Sequence, residues 1–334
     1  MVKVGLIGAG FMGKMHSQVY QVVPEASLVA VSDLDEEKAK EILPKGKIYT
    51  RIEDLLKDPQ VDMVDICLPT FLHKDAVIKS AKAGKHILCE KPIALRVEDA
   101  EEMIKETEKA KVKFMVAHCL RLWPEYIVLK EIVEKGGMGR VVHATFTRLS
   151  PLPVWSWGSW LLNASKSGGA LLDLHIHDVD FSLYLLGKPE YIYSRGVKNN
   201  SGWVHVFSTF SYPEGTIVFI EGGWDYPASF PFTHSYLVKM EKGTLLFNPN
   251  YANPLMLCKD EEVEYPEVKK VEAKAEAGGN VEDLGGYYNE IEYFIRCIEE
   301  NSFPEIITPE DARDSLALVT KEMESLEKGK PVKI

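Results

Sequence analysis

The first residues able to do chemistry are Gly8, Gly10 and Gly13, which form the pattern G-x-G-x-x-G. They follow the apolar run 2–7 and open a helical stretch over 14–23. In that context Gly8 allows a tight turn, Gly10 lets backbone N–H groups approach a pyrophosphate, and Gly13 lets the helix pack closely on the strand. The motif predicts a dinucleotide site at a helix N-terminus, with a plain strand-to-helix turn as the alternative.

Asp33 ends the second apolar run, twenty residues after Gly13. A carboxylate at this place accepts hydrogen bonds from the adenosine ribose hydroxyls and repels a 2′-phosphate, and the nearest basic residue is Lys38. We therefore expect NAD as the cofactor, with NADP less favoured. The alternative is that Asp33 caps a helix that starts within 32–35.

A second candidate is Glu90-Lys91-Pro92, at the end of the apolar run 86–90. A lysine at the carboxyl edge of a parallel sheet can polarise a substrate hydroxyl and stabilise the developing alkoxide. Pro92 can fix the direction of the lysine through a cis bond, although most X-Pro bonds are trans. Taken alone, the tripeptide is more typical of a solvated loop.

The third candidate is Asp173 with His177 and Asp180, on the helical stretch 170–186. Spacings of four and three residues place these side chains on one helix face. An imidazole beside a carboxylate can act as a general base whose orientation and pKa the carboxylate tunes. The alternative is that His177 is a polar residue with a purely structural role.

A metal site is not expected among the His and Asp side chains of this stretch, which are His175, His177, Asp178 and Asp180. Residues two apart on a helix point in different directions, so the set cannot converge unless the helix breaks.

Three indoles, of Trp155, Trp157 and Trp160, precede this stretch. Indole faces stack well on the C–H faces of sugars, so a carbohydrate platform is one interpretation. A loop anchored on the core is the other.

The elements that must position these residues follow two patterns. In the first 120 residues, short apolar runs at 2–7, 27–32, 61–68, 86–90 and 113–118 alternate with helical stretches such as 74–83 and 97–111. Apolar strands separated by helices are typical of a parallel sheet covered on both faces. We predict an α/β fold with an N-terminal doubly wound Rossmann domain over 1–122.

From about residue 140, strand-like runs follow one another with turn sequences of the hairpin kind between them. The runs are 141–148, 191–197, 203–212, 216–222, 235–240 and 244–247. We predict an α+β domain over 123–334, with an open, mainly antiparallel sheet. An exposed loop with a frayed strand is expected over 253–280, and the C-terminal helix, about 309–327, can pack back on the N-terminal domain.

Composition limits the class of partner. The 334 residues carry 39 Lys and Arg against 50 Asp and Glu, a formal net charge of −11. An acidic balance disfavours nucleic acid and anionic membranes, and the apolar runs are too short to span a bilayer. No basic leader precedes the first strand and the five Cys form no CxxC pair, so we expect a cytoplasmic protein with reduced thiols.

Together the motifs resemble the Gfo/Idh/MocA family of NAD(P)-dependent sugar and polyol dehydrogenases, over nearly the whole length. The shared positions are 8–13, His16, Pro69, Thr70, His73, 83–86, 90–92, Arg121, Pro124, 168–169, Asp173, His177, Glu290, Phe294 and 307–311.

The resemblance implies oxidation of a secondary alcohol of a sugar, polyol or related small molecule, with Lys91, Asp173 and His177 as the catalytic set. The expected substrate-binding residues are these three with His118, Trp155, Trp157 and Asp180. The expected cofactor-binding residues are Gly8, Gly10, Phe11, Met12, Gly13, Asp33, Leu68, Pro69, Thr70, His73, Glu90, Lys91 and Arg121. The resemblance also implies a homodimer or homotetramer, and a second-sheet face carrying Trp203, Val204, Phe207 and Phe210 is the expected contact.

The chain departs from the family pattern at His175, where many members carry Gly, and at His118, where Asn is frequent. The identity of the substrate therefore stays open. Two other functions also stay open: glycoside hydrolysis through transient oxidation by tightly held NAD, and a non-catalytic nucleotide or sugar sensor. Retention of Lys91 and His177 disfavours the sensor.

Overall fold

The structure, a computed structural model, describes residues 1–269 and 284–334. These residues form two compact units. The first comprises Met1–Leu122 and the described part of Val271–Asp314, and the second comprises the described part of Trp123–Lys270 together with Ser315–Ile334.

The first unit contains a parallel sheet with helices in its connections. Its elements up to Leu122 are β1 (Val2–Ile7), α1 (Phe11–Val19), β2 (Ala26–Ser32), α2 (Glu36–Ile42), β3 (Lys47–Tyr49), α3 (Ile52–Leu56), β4 (Met63–Ile66), α4 (His73–Lys82), β5 (His86–Glu90), α5 (Val97–Ala110) and β6 (Phe114–Ala117). The strand order is β3-β2-β1-β4-β5-β6, and every pair is parallel. Every residue of β4 and β6 is buried, as expected for strands covered on both faces. The predicted Rossmann domain is confirmed.

The second unit is built on a larger mixed sheet. Up to residue 269 the chain adds α6 (Pro124–Lys135), β7 (Val141–Pro151), α7 (Ala164–Ser167), α8 (Gly169–Asp173), α9 (Ile176–Leu186), β8 (Tyr191–Asn199), β9 (Gly202–Ser211), β10 (Ile217–Tyr226), β11 (Thr233–Met240), β12 (Gly243–Phe247), β13 (Leu255–Lys259) and β14 (Glu262–Glu264). From Leu284 on it adds α10 (Gly285–Glu299), α11 (Pro309–Lys328) and β15 (Val332–Lys333).

The second sheet has the strand order β14-β13-β12-β11-β7-β10-β9-β8-β15. Its pairs are antiparallel except β7 with β10, which are parallel. The predicted mainly antiparallel sheet is confirmed. The expected loop at 253–280 contains β13 and β14, and its part from residue 270 on lies outside the described residues. No helix of the described ranges is long and apolar enough to cross a membrane.

The division between the units differs from the predicted one, in which all of 123–334 forms a single domain. Helix α10 belongs to the first unit, because Ile291 and Phe294 pack with Val19 and Leu122 in one buried cluster. The division then falls inside α11, between Asp314 and Ser315. Long-range packing of this kind leaves no local pattern in the sequence.

The predicted single helix over 170–186 is wrong. Helix α8 ends at Asp173 and α9 begins at Ile176. The N–H groups of Leu174 and His175 both donate to the carbonyl of Ala170, at 3.0 and 2.9 Å, which closes α8. Asp173 and His177 therefore do not share the face of one helix, although His177 and Asp180 both lie on α9.

The four residues predicted to form one oligomer face on β9 do not share a face of the strand. Val204 and Phe210 are buried, whereas 49% of Phe207 is exposed and Trp203 is half-buried. Successive side chains of a strand point to opposite faces, so residues 204 and 210 belong to the face opposite to 203 and 207.

Candidate active site

The glycine motif forms the turn between β1 and α1. Gly8 has φ +101°, and its N–H donates to the carbonyl of Ser32 at 2.8 Å. A Cβ at Gly13 would overlap the carbonyl oxygen of Gly8, so only glycine allows this approach of helix and strand. Both glycines are thus required by the turn itself.

Gly10 differs because nothing in the protein crowds it. It is exposed, it is the N-cap of α1 without a side-chain cap, and no heavy atom lies within 4 Å of a Cβ built on it. The half-buried Phe11 and Met12 begin the helix. Uncapped N–H groups beside an exposed glycine fit the pyrophosphate of a dinucleotide.

Asp33 follows β2 and lies beside the same turn. Its Oδ2 accepts the N–H of Ala9 at 2.7 Å, and its Oδ1 accepts that of Asp35 at 2.8 Å. The capping role considered for Asp33 belongs to Asp35, which is the N-cap of α2 and accepts the N–H of Lys38. Asp33 is thereby held next to the glycine motif.

His73 connects the segments that follow β4 and β5. It is fully buried, and its Nδ1 and Nε2 lie 2.9 Å from the carbonyl oxygen of Pro92 and 2.7 Å from that of Leu68. Burial lowers the pKa of His73, so the ring is neutral near pH 7 and donates to one carbonyl at a time. Of the other predicted cofactor residues here, Pro69 is half-buried and Thr70 is buried.

Lys91 is half-buried and joined to Pro92 by a cis peptide bond, the form considered in the sequence analysis. Its backbone N–H donates to Oε2 of the buried Glu90 at 3.0 Å. The other carboxylate oxygen, Oε1, lies 3.1 Å from Nε2 of His16. Glu90, expected among the cofactor-binding residues, therefore holds the peptide of the lysine in this structure.

Charge explains why this buried contact is stable. Burial disfavours an imidazolium at His16, but Asp65, whose Oδ2 lies 2.8 Å from Nδ1, raises the pKa of His16 well above its usual value. Burial also opposes the Glu90 carboxylate, but His16 and Lys91 lower its pKa. A charged imidazole thus lies between two carboxylates.

His16, Asp65 and Cys67 together offer three atoms that could hold a metal ion. The separation of 2.8 Å between Nδ1 of His16 and Oδ2 of Asp65 argues for a hydrogen bond, because ligands at about 2.0–2.3 Å from zinc in a tetrahedron lie roughly 3.3–3.8 Å apart. Burial also raises the pKa of the Cys67 thiol well above its usual value. The sequence analysis missed Asp65, although an acid within a buried strand is a signal that could have marked it.

Two other predicted residues of the first unit are buried. Arg121 donates from Nη1 to the carbonyl of Ile306 at 2.9 Å and lies 3.1 Å from Oδ2 of Asp311. It thus ties the end of β6 to the segment before α11. His118 is 1% exposed. Arg121 thus has a structural contact, and the binding roles of both residues stay predictions.

In the second unit, the segment from Asp173 to Asp180 separates two kinds of polar side chain. Asp173 and His177 are half-buried. The other three polar residues have no exposure and pair with buried or half-buried partners. The pairs are His175 Nε2 with Glu322 Oε1 at 2.9 Å, Arg148 Nε with Asp178 Oδ2 at 2.7 Å, and Ser315 Oγ with Asp180 Oδ1 at 2.8 Å.

The burial of these side chains divides the predicted substrate-binding residues of the segment into two groups. Asp173 and His177 can reach a ligand, while Asp180 faces the interior of the unit. His175, which departs from the family pattern, is likewise turned inward. The sequence analysis missed its partner Glu322, because 147 residues separate the two and no motif links them.

The three tryptophans divide between the two interpretations. Trp155 and Trp157 are 60% and 61% exposed. Trp160 packs on a buried cluster that includes Leu161 and Trp224, and so anchors the loop. Two indoles are available to a ligand and one is structural.

In the first unit, the structure brings the predicted residues to one edge of the sheet. The cofactor set lies along the carboxyl edge of the first sheet, where α/β folds bind nucleotides, and Lys91 lies on that edge. Asp173, His177, Trp155 and Trp157 belong to the second unit.

A Rossmann sheet with an uncapped glycine turn, followed by a mixed-sheet unit, defines a two-domain nucleotide-binding protein. Sequence comparison identifies the family. An oxidoreductase family with an NAD-binding Rossmann fold, GFO/IDH/MocA, matches residues 2–118, and the C-terminal domain of the same family matches residues 126–246. The chain belongs to the Gfo/Idh/MocA oxidoreductase family, and its N-terminal domain is an NAD-binding Rossmann fold.

Individual relatives have related names. Myo-inositol 2-dehydrogenase of Thermotoga maritima is 36% identical over 56% of this chain and 55% of its own length. Levoglucosan dehydrogenase of Pseudarthrobacter phenanthrenivorans is 33% identical over 56% of this chain and 52% of its own length. The matched region thus spans about half of these relatives. The crystal structure of a probable dehydrogenase from Thermotoga maritima is similar over 99% of this chain and 98% of its own, with a TM-score of 0.83 and 26% identity.

Proposed function

We propose that this protein is an NAD-dependent dehydrogenase that oxidises a secondary alcohol of a sugar, polyol or related small molecule. The observation that carries the proposal is the placement of Lys91 on the carboxyl edge of the NAD-binding sheet, with its peptide held by Glu90 and His16. The names of the relatives, which act on myo-inositol and levoglucosan, support the substrate class.

Each proposed catalytic residue has one task. His177 removes the proton of the substrate hydroxyl as a general base, and Asp173 orients and tunes the imidazole. The Lys91 ammonium donates a hydrogen bond to the same oxygen and stabilises the negative charge that develops on it. Bound NAD⁺ supplies the hydride acceptor for the carbinol carbon, so one hydride and one proton leave the alcohol and a carbonyl forms.

The residues of the glycine turn fit the cofactor. Gly10 leaves the N-terminus of α1 accessible to the pyrophosphate, and Asp33 presents a carboxylate suited to the ribose hydroxyls. We infer a preference for NAD over NADP from that carboxylate. Equal or tighter binding of NADPH would contradict the preference. Exposed Trp155 and Trp157 are proposed as a stacking surface for the C–H faces of the substrate.

The direct test is a panel of polyols and aldoses that includes myo-inositol and levoglucosan, with NAD⁺ and the absorbance of NADH as the readout. Turnover with at least one neutral polyol or sugar supports the proposal. NADH binding without turnover of any member would contradict it and favour the sensor. Glycoside cleavage without exchange of NADH would favour the hydrolase.

Replacing the proposed catalytic residues separates chemistry from cofactor binding. Lys91→Ala and His177→Ala should each lower kcat by about 10²–10⁴-fold, because each removes a group that acts on the reacting oxygen. NADH affinity, measured by fluorescence titration, should change little. Lys74→Ala, which removes a surface lysine paired with Asp99, is the control and should keep full activity. Near-normal turnover in either site variant would refute the role assigned to it.

We also propose that one face of the second sheet binds a second copy of the chain. Adjacent strands expose apolar side chains on that face: Tyr191 and Val197 on β8, Phe207 on β9, Ile217 and Phe219 on β10, and Leu237 on β11. The register places Phe219 beside Thr209 and Thr145, and Leu237 beside Thr145, in one row. Exposed apolar side chains on four adjacent strands of one sheet face support a homodimer or homotetramer.

A cytoplasmic location is proposed on the state of the cysteines. All five lie within the described residues, and none forms a disulfide. This agrees with a reducing compartment.

A further inference from the structure

His175 lies in the two-residue break between α8 and α9, beside the proposed catalytic pair. Asp173 is the last residue of α8, and His177 is the second residue of α9. The path of the chain through the break therefore sets the directions of the Asp173 carboxylate and the His177 imidazole. Because the His175 side chain has no exposure, the contacts that hold its ring also hold the break.

Two elements enclose that ring. On one side is the backbone of β10: a Cβ built at Gly222 would lie 2.6 Å from Nδ1 and 2.9 Å from Cβ of His175. On the other side is α11, where Oε1 of the fully buried Glu322 lies 2.9 Å from Nε2 of His175. The glycine provides room for the ring, and the carboxylate provides its hydrogen-bond partner.

The His175–Glu322 contact lies at the break between α8 and α9, whereas the other buried pairs of the segment involve residues of α9. Arg148 and Ser315 bind Asp178 and Asp180, which lie within α9 and hold the helix to its neighbours. Among the side-chain pairs described above for residues 173–180, the one with Glu322 involves a residue of the break itself. Burial alone would be satisfied by an apolar side chain at this position. A buried hydrogen-bonded pair, unlike an apolar contact, fixes the direction of the chain at the break.

We propose that Glu322 is a positioning residue for the reaction: through its hydrogen bond to His175 it fixes the break between α8 and α9, and so directs Asp173 and His177. The inference rests on the proposed function, because the directions of Asp173 and His177 matter only if these side chains take part in the reaction. Glu322 touches neither substrate nor cofactor in this account. It acts only through His175.

The test compares two substitutions at Glu322 with a matched one on the same helix. Glu322→Ala removes the acceptor, and Glu322→Gln keeps an acceptor oxygen. Ser325→Ala is the control: Ser325 is fully buried on α11 and accepts the N–H of Ser194 at 2.9 Å, so its loss weakens the packing of α11 on β8 but not on the break. All three are measured in the full-length protein with NAD⁺ and myo-inositol, or with the best substrate of the panel.

We expect Glu322→Ala to lower kcat by about 10–100-fold with KM for NAD⁺ within about twofold, because small misplacements of catalytic groups are costly. Glu322→Gln should restore kcat to within about threefold of wild type, since one hydrogen bond remains. Ser325→Ala should lower Tm by several degrees and leave kcat unchanged.

A second readout is independent of turnover. The rate at which diethyl pyrocarbonate modifies His177, followed by mass spectrometry of its peptide, should change at least about threefold in Glu322→Ala and in neither other variant. If wild type oxidises nothing in the panel, the proposed function fails, and this rate alone decides the positioning role. The inference is overturned if Glu322→Ala lowers Tm as Ser325→Ala does while kcat, where measurable, and His177 modification stay at wild-type values.

Discussion

At the scale of single residues, the carboxyl of Glu290 in the first unit is buried without a hydrogen-bond partner among the described residues. It has no exposure, and burial together with the nearby Glu90 raises its pKa well above the usual 4.5. The charged arrangement of His16 with Asp65 and Glu90 thus has a neutral carboxylic acid as its neighbour.

Because the pKa of Glu290 is raised in the native protein, the sign of its effect on the pH dependence of stability follows. The native carboxyl keeps its proton while the unfolded one, near pKa 4.5, loses it. Its contribution to stability is therefore complete below about pH 4.5 and decreases as the pH rises toward the native pKa, by at most about 1.4 kcal/mol per pH unit.

Glu290→Gln should remove this dependence, because the amide mimics the protonated acid and does not titrate. We expect the Tm difference, variant minus wild type, to increase from pH 4.5 to pH 8 in scanning calorimetry. Glu292→Gln, on the half-exposed side of α10, is the control and should show no such increase. Parallel Tm curves for wild type and Glu290→Gln would contradict the assignment.

At the scale of elements, the β1–α1 turn contains two glycines with different requirements. Gly13 is fixed by the packing of α1 on the strand, where a Cβ would overlap the Gly8 carbonyl. Gly10 has extended backbone angles that alanine can adopt, and it faces no protein atom. One glycine serves the fold and the other serves the ligand.

Alanine substitutions should separate these requirements. Gly10→Ala should keep Tm within about 2 °C and weaken NADH binding by at least about tenfold, because the added methyl occupies the approach of the pyrophosphate. Gly13→Ala should lower Tm by several degrees through forced displacement of α1. Calorimetry and fluorescence titration measure the two effects. Unchanged NADH affinity in Gly10→Ala would show that the pyrophosphate does not approach this glycine.

The elements also show what the sequence can and cannot predict. Strands β1 and β5 coincide with the apolar runs 2–7 and 86–90, because a buried parallel strand leaves a continuous apolar signature. The break after Asp173 was missed because 170–186 remains apolar at helical spacing throughout. The residues that enclose His175 in this break, Gly222 and Glu322, lie far away in sequence.

The candidate site divides in the same way. The glycine turn, Asp33 and Lys91 were predictable because local motifs carry them. The buried Asp65 and Glu290 were not identified as partners of His16, because only the folded sheet and α10 bring them close. For Trp155, Trp157 and Trp160 the sequence left two interpretations open, a carbohydrate platform or a loop anchored on the core. Only the exposure of Trp155 and Trp157 in the structure distinguishes them from Trp160.

At the scale of the whole molecule, the exposed face of the second sheet should control assembly. Phe219→Lys places a charge at the centre of its apolar row and should shift the protein from dimer or tetramer to monomer. The reason is that an unpaired charge buried in an interface costs several kcal/mol. Lys74→Ala, a surface substitution in the first unit, is the matched control. Light scattering at micromolar concentration is the measurement, and a wild-type monomer would reject the proposed assembly.

The first unit is built from two separate parts of the chain, so its parts are translated at different times. The first sheet is complete at Ala117, yet α10, which covers Val19, Tyr20 and Leu122, begins 168 residues later. At roughly 5–20 residues per second on a ribosome, the sheet waits on the order of 10–30 s for its last helix. During that interval an apolar surface is exposed to the solvent, so the nascent first unit is an expected client of chaperones. Its folding ends only after most of the second unit has been translated.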